Sequence, residues 1–158
     1  NNPTGVIYSH DEIVEIAKLA EKYGASVIVD ELYSRQIFDN HPYTHLRAQN
    51  IVNPENLITI IGPSKTESLS GFRLGVAFGS SKIITRMEKL QAIVSLRCAG
   101  YNQAVFSTWF HEPEGFMKER VAAHQAIRDD LLTLFNSKEG ITVRLIIEFL
   151  GIQPVKRI

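Results

Sequence analysis

The chain has 158 residues, with 17 basic and 17 acidic side chains and a formal net charge of zero. This balance gives no electrostatic reason to expect nucleic acid or an anionic membrane as a partner. The single cysteine, Cys98, excludes an internal disulfide and is typical of a reducing compartment, so we expect a cytoplasmic protein.

The first predicted elements are a turn, a helix and a strand. The composition of "NNPTG" is that of a turn, and "SHDEIVEIAKLAEKYG" has apolar residues at helical spacing. Ser9 and Glu12 match a capping box at the start of this helix, and Gly24 is placed to end it. The apolar run "ASVIVD" follows and predicts a buried strand with Asp30 at its carboxyl end.

The remaining elements predict a layered α/β fold, with a mostly parallel sheet flanked by helices. The segments "NPENLITII" and "RLGVAFG" predict two more strands. Three helices are then expected, in "SKIITRMEKLQAIVSL", at about 101–111 and in "EPEGFMKERVAAHQAIRDDLLTLF". Ligands of such sheets bind at the carboxyl ends of the strands, where Asp30 and Lys65 both fall.

The segment "IIGPSKTESLSGFRLG" places a lysine, Lys65, shortly after the second predicted strand. A nucleotide-binding P-loop would need glycine directly before this lysine and six residues before it. Ser64 and Thr59 occupy those two positions, which argues against a P-loop.

Three signatures in chain order, "NNPTG", "VDELY" and a lysine followed eight residues later by the arginine of "GFRLG", resemble the class I and II aminotransferases. These are fold-type I enzymes that use pyridoxal 5′-phosphate (PLP). The resemblance runs from Asn1 to about Thr142 and implies the second half of the family's large cofactor domain, residues 1–143. Residues 144–158 then form an atypical tail, which a truncation or an altered reading frame near residue 144 would explain.

The resemblance implies a catalytic role for three side chains. Lys65 would be the nucleophile that holds PLP as a Schiff base, and its freed amine would move the substrate Cα proton. Asp30 would hold the ring nitrogen in its protonated form. Tyr33 and Asn2 would donate hydrogen bonds to the phenolate oxygen of the ring.

The resemblance also implies a phosphate site. Arg73 would bind the phosphate, because its planar fork suits two phosphate oxygens. Gly62 departs from the family, which usually has Ser or Thr three residues before the lysine, so it offers only a backbone N–H. Ser64, beside the lysine, is the alternative source of that contact.

The implied reaction transfers an amino group between an amino acid and a 2-oxo acid, in a homodimer. Two rivals share these residues: a lyase or synthase of the aminocyclopropane-carboxylate synthase type, and a PLP-sensing domain of bacterial transcription regulators. The chain carries no match to the family's glycine-rich phosphate loop, its ring-stacking aromatic or its substrate-carboxylate arginine. We therefore expect these 158 residues alone to be inactive.

Other polar residues receive structural interpretations. His41 and His45 are four residues apart, but Pro42 argues against a helix there and no third ligand is near, so no metal site is expected. Glu31, Arg35 and Glu67 are expected to be solvated or locally paired.

Overall fold

The computed structural model describes residues 4–141 and residue 143. Its α-helices are α1 (His10–Lys22), α2 (Ser81–Val94), α3 (Gly100–Gln103) and α4 (Phe116–Asn136), and its strands are β1 (Val27–Asp30), β2 (Leu57–Ile61) and β3 (Val76–Phe78). The chain divides into two compact units. The sheet unit comprises Tyr8–Leu32 and Thr44–His111, and the α4 unit comprises the described parts of Asn1–Ile7, Tyr33–Tyr43 and Glu112–Ile158.

Helix α1 begins with the predicted capping box. The Glu12 N–H donates to Ser9 Oγ at 3.3 Å, and the Ser9 N–H donates to Glu12 Oε2 at 2.7 Å. The backbone and hydroxyl hydrogen bonds from Ser9 lower the pKa of the Glu12 carboxyl. Further along the helix, Ala17 and Ala20 are buried against core residues. The local sequence signals of α1 are therefore confirmed.

The sheet has the order β1-β2-β3. The sequence predicts a mostly parallel sheet, but in the described residues the sheet is mixed. Strands β1 and β2 are parallel, with Asp30 paired to Ile60, whereas β3 is antiparallel to β2. A parallel neighbour needs a crossover connection, usually a helix. Residues 62–75 contain only the short 3-10 helix Ser70–Phe72, so the chain returns directly as an antiparallel strand. The predicted third strand forms, with the opposite direction.

A short segment around Arg47 is fixed to the sheet. Arg47 Nε donates to Thr59 Oγ1 at 3.0 Å, and Arg47 Nη2 donates to the carbonyl oxygens of Leu57 at 3.1 Å and Phe78 at 3.0 Å. The preceding residue, Leu46, is buried in the core cluster with Leu57. The Arg47 guanidinium therefore joins β2 to β3. Residues 45–47 are held in place by these hydrogen bonds and by the burial of Leu46.

The helices after β3 differ in part from prediction. Helix α2 forms, but its apolar residues Met87, Leu90 and Val94 are exposed. The single helix expected at about 101–111 is instead α3 followed by the 3-10 helix Ala104–Ser107. Regular helix does not continue through Phe110, which has a left-handed backbone with φ of 65°.

The α4 unit is held by ion pairs between residues distant in sequence. Arg128 donates to Asp39 through Nη1 at 2.6 Å and Nη2 at 2.9 Å, and its guanidinium lies 5.0 Å from the ring centroid of buried Phe38. The hydrogen bonds from Arg128 lower the pKa of Asp39. Arg35 makes a two-pronged pair with Glu112, at 2.9 and 3.1 Å, so its partner lies 77 residues away rather than nearby in sequence.

Candidate active site

Three of the predicted site residues lie at one edge of the sheet. Asp30 is the last residue of β1, and Lys65 follows the end of β2 by four residues. Since these strands are parallel, their carboxyl ends share an edge. Strand β3 is antiparallel and begins at that edge, three residues after Arg73. The register therefore brings an acid, an amine and a guanidinium to the same edge.

Lys65 lies in a loop whose flanks are fixed. The Leu69 N–H donates to the Pro63 carbonyl at 3.1 Å, and the Ser68 N–H donates to the Lys65 carbonyl at 3.3 Å. Pro63 is fully buried, and Thr66 on the other side of the lysine is also buried. Lys65 itself is exposed. The backbone around the exposed lysine is thus held by the loop's own hydrogen bonds and by the burial of the residues on either side.

Gly62 lies where the backbones of two segments approach closely. A Cβ atom at this position would lie 3.0 Å from Leu32 Cδ2, 3.1 Å from the Leu74 carbonyl oxygen and 3.3 Å from the Gly75 Cα. Contacts this short require the neighbours to move. A side chain at this position would therefore require the Leu32 side chain and the backbone at Leu74 and Gly75 to move by a few tenths of an ångström.

The Asp30 carboxylate is exposed and only partly satisfied. Its Oδ1 accepts from the Leu32 N–H at 3.1 Å, and among the described residues it has no other hydrogen bond. The next residue continues the ladder with β2, because the Glu31 N–H donates to the Ile60 carbonyl at 2.8 Å. Asp30 is thus fixed by its backbone and retains free lone pairs for a cationic donor.

Arg73 has a strained backbone and a guanidinium available to an anion. Its φ and ψ are 50° and 47°, the left-handed region that costs a residue with a Cβ about 1–2 kcal/mol. Both its N–H, at 3.2 Å, and its Nη1, at 2.9 Å, donate to the Ser70 carbonyl. Within the described part of the chain, the exposed guanidinium has no carboxylate partner. Such strain often accumulates at binding sites.

The remaining predicted site residues are distributed as follows. Ser64 is half-buried beside Lys65 in the sheet unit. Tyr33 belongs to the α4 unit, where it is half-buried and its carbonyl accepts from the Gln36 N–H at 2.9 Å. Asn2 and the tail at residues 144–158 lie outside the described residues. Their roles stay predictions.

The donor set at the edge suits PLP. A carboxylate with free lone pairs matches a protonated ring nitrogen, a guanidinium without an acidic partner matches a phosphate, and a primary amine matches an aldehyde carbon. Asp30, Arg73 and Lys65 supply these three groups, and all three are exposed. The residues present therefore fit the cofactor that the resemblance implies.

Glu31 is a residue whose position sequence reasoning did not resolve. It is buried rather than solvated, and its Oε2 lies 2.8 Å from His45 Nδ1. Alternation along β1 carried the signal: Val27 and Val29 are less exposed than Ile28 and Asp30, so the next side chain faces inward.

The described residues contain no group of three or more His, Cys, Asp and Glu side chains that could hold a metal ion. Within the same part of the chain, every helix is too short or too polar to cross a membrane.

The chain is similar to known proteins of one family. The family model described as "Aminotransferase class I and II" matches residues 1–148. A "Probable aspartate/prephenate aminotransferase" of Rickettsia felis is 28% identical over 135 residues, which cover 85% of this chain and 33% of that protein. The chain thus spans about a third of this relative.

Solved structures agree as well. An aspartate aminotransferase from Rhodobacter sphaeroides superposes with a TM-score of 0.89 and 61% identity, over 94% of this chain and 37% of that chain. Cystalysin from Treponema denticola, whose structure contains PLP, superposes with a TM-score of 0.85 over 93% of this chain and 38% of that chain. Because the two sequences are only 18% identical, this likeness indicates a shared fold and nothing about activity. The predicted α/β fold class is confirmed.

Proposed function

Because this chain belongs to the class I and II aminotransferase family, we propose that the protein transfers an amino group between an amino acid and a 2-oxo acid with PLP as cofactor. The observation that carries the proposal is the common edge of Asp30, Lys65 and Arg73, which unites the acid, amine and phosphate-binding groups that this chemistry needs. The Rhodobacter protein is named an aspartate aminotransferase, which makes aspartate the first amino acid to assay. A Mus musculus relative is named "Kynurenine--oxoglutarate transaminase 3", which makes 2-oxoglutarate the first 2-oxo acid.

Each residue has a distinct task in this proposal. When bound, PLP supplies an aldehyde for attachment and a ring that accepts electrons. The Lys65 amine would hold the cofactor covalently and, when free, would take up the proton of the substrate Cα. The Asp30 carboxylate holds a proton at the ring nitrogen, which favours electron withdrawal. Its fixed backbone keeps this carboxylate oriented at no cost during the reaction.

The phosphate and phenolate contacts complete the proposed site. Arg73 binds the phosphate through its guanidinium. Gly62 contributes at most its backbone N–H, and Ser64 offers a hydroxyl beside the lysine. Tyr33 and Asn2 are proposed to hold the phenolate oxygen, on the strength of the family resemblance.

Assembly, location and domain extent belong to the same proposal. The homodimer and the division into residues 1–143 and an atypical tail at 144–158 rest on the resemblance. The cytoplasmic location rests on the single cysteine.

The aminotransferase is favoured over its two rivals, since both the Rickettsia and the Rhodobacter proteins are named aminotransferases. An assay of oxo-acid formation against elimination products separates transfer from lyase chemistry, and it is made on a full-length protein that contains these residues, because the 158 residues alone are expected to be inactive. A regulatory PLP sensor would bind the cofactor and give neither product.

The assignment of Lys65 is tested by reduction with borohydride. PLP is added to the protein, the bond between amine and cofactor is reduced, and the labelled peptide is identified by mass spectrometry. We expect the label on Lys65, its loss in Lys65→Ala and its retention in the matched control Lys82→Ala. A label on Lys82 or Lys89 would show that the assignment is wrong.

A further inference from the structure

A buried carboxylate lies directly beside the proposed ring-nitrogen acid. The Glu31 side chain is 4% exposed, whereas that of its partner His45 is 52% exposed. His45 Nδ1 lies 2.8 Å from Glu31 Oε2, and among the described residues Glu31 Oε1 has no hydrogen-bond partner. A buried carboxylate is costly to leave unpaired, so the conformation of Glu31 depends strongly on its contact with His45.

His45 is itself held by the sheet. The next two residues are Leu46, which is buried in the core, and Arg47, which binds carbonyl oxygens of both β2 and β3. The His45 carbonyl accepts from the Ala48 N–H at 3.2 Å and from Gln49 Nε2 at 3.0 Å. The imidazole therefore extends from a backbone that is fixed to the central strand.

The other end of the contact is the carboxyl end of β1. The Glu31 N–H bonds to Ile60 of β2, and the following N–H, that of Leu32, bonds to the Asp30 carboxylate. A shift of Glu31 would therefore disturb the last rung of the ladder and the hydrogen bond that orients Asp30. The contact between Glu31 and His45 is the side-chain brace at this strand end.

We propose that Glu31 and His45 are positioning residues for Asp30: the imidazole holds the buried Glu31 carboxylate, and Glu31 fixes the strand end that orients the Asp30 side chain. This proposal rests on the proposed function for its catalytic meaning, because Asp30 is the acid at the ring nitrogen there. Its structural content, the link from His45 to the Asp30 hydrogen bond, is measurable separately.

The test is hydrogen exchange at single amides of the PLP-treated protein, read by mass spectrometry with residue-level fragmentation. In His45→Ala we expect exchange at Glu31 and Leu32 to accelerate by about tenfold or more, as for loss of a hydrogen bond to a charged group. The Ile13 amide of α1, which donates to the Ser9 carbonyl, should keep its rate. His45→Asn should restore slow exchange, since an asparagine Nδ2 reaches nearly the same point as the imidazole Nδ1.

Two controls make the result specific. His41→Ala removes another histidine nearby in sequence and should leave the Glu31 and Leu32 amides unchanged. Glu31→Gln keeps a hydrogen-bonding partner for His45 and should exchange more slowly at Leu32 than His45→Ala does. Unchanged exchange at Glu31 and Leu32 in His45→Ala would overturn the proposal. Equal acceleration at Ile13, without rescue in His45→Asn, would also overturn it, because that result indicates only a general loss of stability.

A spectroscopic readout connects the brace to the cofactor. If Lys65 carries PLP, the absorption band of bound PLP should shift in His45→Ala and return in His45→Asn, because the ring nitrogen senses Asp30. An unchanged band with normal labelling of Lys65 would overturn the positioning role. Absence of any label on Lys65 in the unmodified protein would contradict the proposed function instead, and the amide rates would still decide whether His45 orients Asp30.

Discussion

Ile61, at the end of β2, pairs with Val76, at the start of β3, across an antiparallel ladder. This pairing returns the chain to the edge it has just left, so the segment with Lys65 and the segment with Arg73 face the same edge. Residues 62–75 connect the two strands and contain only the short 3-10 helix Ser70–Phe72, so no crossover helix intervenes. Lys65 and Arg73 therefore lie at the same edge of the sheet because β3 runs antiparallel to β2.

The strained backbone of Arg73 predicts a difference between two substitutions. Both Arg73→Gly and Arg73→Ala remove the phosphate-binding cation, so PLP affinity should fall roughly 10- to 150-fold in each. Glycine adopts the left-handed backbone without a steric penalty, whereas alanine, like arginine, has a Cβ and is strained there. The glycine variant should therefore be more stable than the alanine variant by about 1 kcal/mol in urea unfolding. Equal unfolding midpoints would contradict the strain, and unchanged PLP affinity would remove Arg73 from the phosphate site.

The substitution Gly62→Ser, which introduces the hydroxyl residue usual in the family, should destabilise the protein. Gly62→Ser places a Cβ within 3.0 Å of Leu32 Cδ2 and 3.1 Å of the Leu74 carbonyl oxygen. Overpacking of this kind costs about 1–3 kcal/mol of unfolding free energy. The control Gly100→Ala meets no atom within 4 Å and should change stability little. Denaturant unfolding measures both, and a stable serine variant with tighter PLP binding would refute the steric argument.

The pair of Asp39 and Arg128 makes stability depend on pH. The folded-state pKa of Asp39 is lowered from 3.8 by its hydrogen bonds to Arg128. The contribution of the pair is therefore fully present above the unfolded pKa and is lost as pH falls through the folded pKa. Asp39→Asn should destabilise the protein near pH 7 and have a smaller effect near pH 3.

The control for this prediction is the partner. In an Arg128→Gln background, Asp39→Asn should have nearly the same effect at both pH values, because the main group that lowers the pKa of Asp39 is gone. Unfolding by urea at the two pH values measures all four proteins as a double-mutant cycle. A coupling free energy that stayed constant with pH would contradict the assignment.

The 158 residues made alone should not catalyse transamination, even with PLP present. They span 37% of the Rhodobacter aspartate aminotransferase. Their sequence carries no match to the family's glycine-rich phosphate loop or to its substrate-carboxylate arginine. Without those groups the substrate is not oriented, and orientation supplies about 7–11 kcal/mol of the lowering of the barrier in favourable cases. Assays with aspartate and 2-oxoglutarate check this, and turnover that disappears in Lys65→Ala would disprove it.

The sequence alone was sufficient for elements whose signals are local. The capping box of Ser9 and Glu12 and the apolar spacing of the first helix predicted α1, because a helix bonds each residue to one four positions away. The motifs around Asp30, Lys65 and Arg73 likewise indicated the family, and the family model confirmed it.

Tertiary structure decided the relations between distant segments. The antiparallel direction of β3, the burial of Glu31 against His45 and the pairing of Arg128 with Asp39 each join residues between 14 and 89 positions apart. Such contacts form only where the whole chain buries enough surface to offset the entropy of closing the intervening loops. A local sequence pattern does not reveal whether such a long-range contact forms. The sequence therefore indicated Asp30 through its motif, but it did not indicate that Glu31 and His45 contact each other beside it.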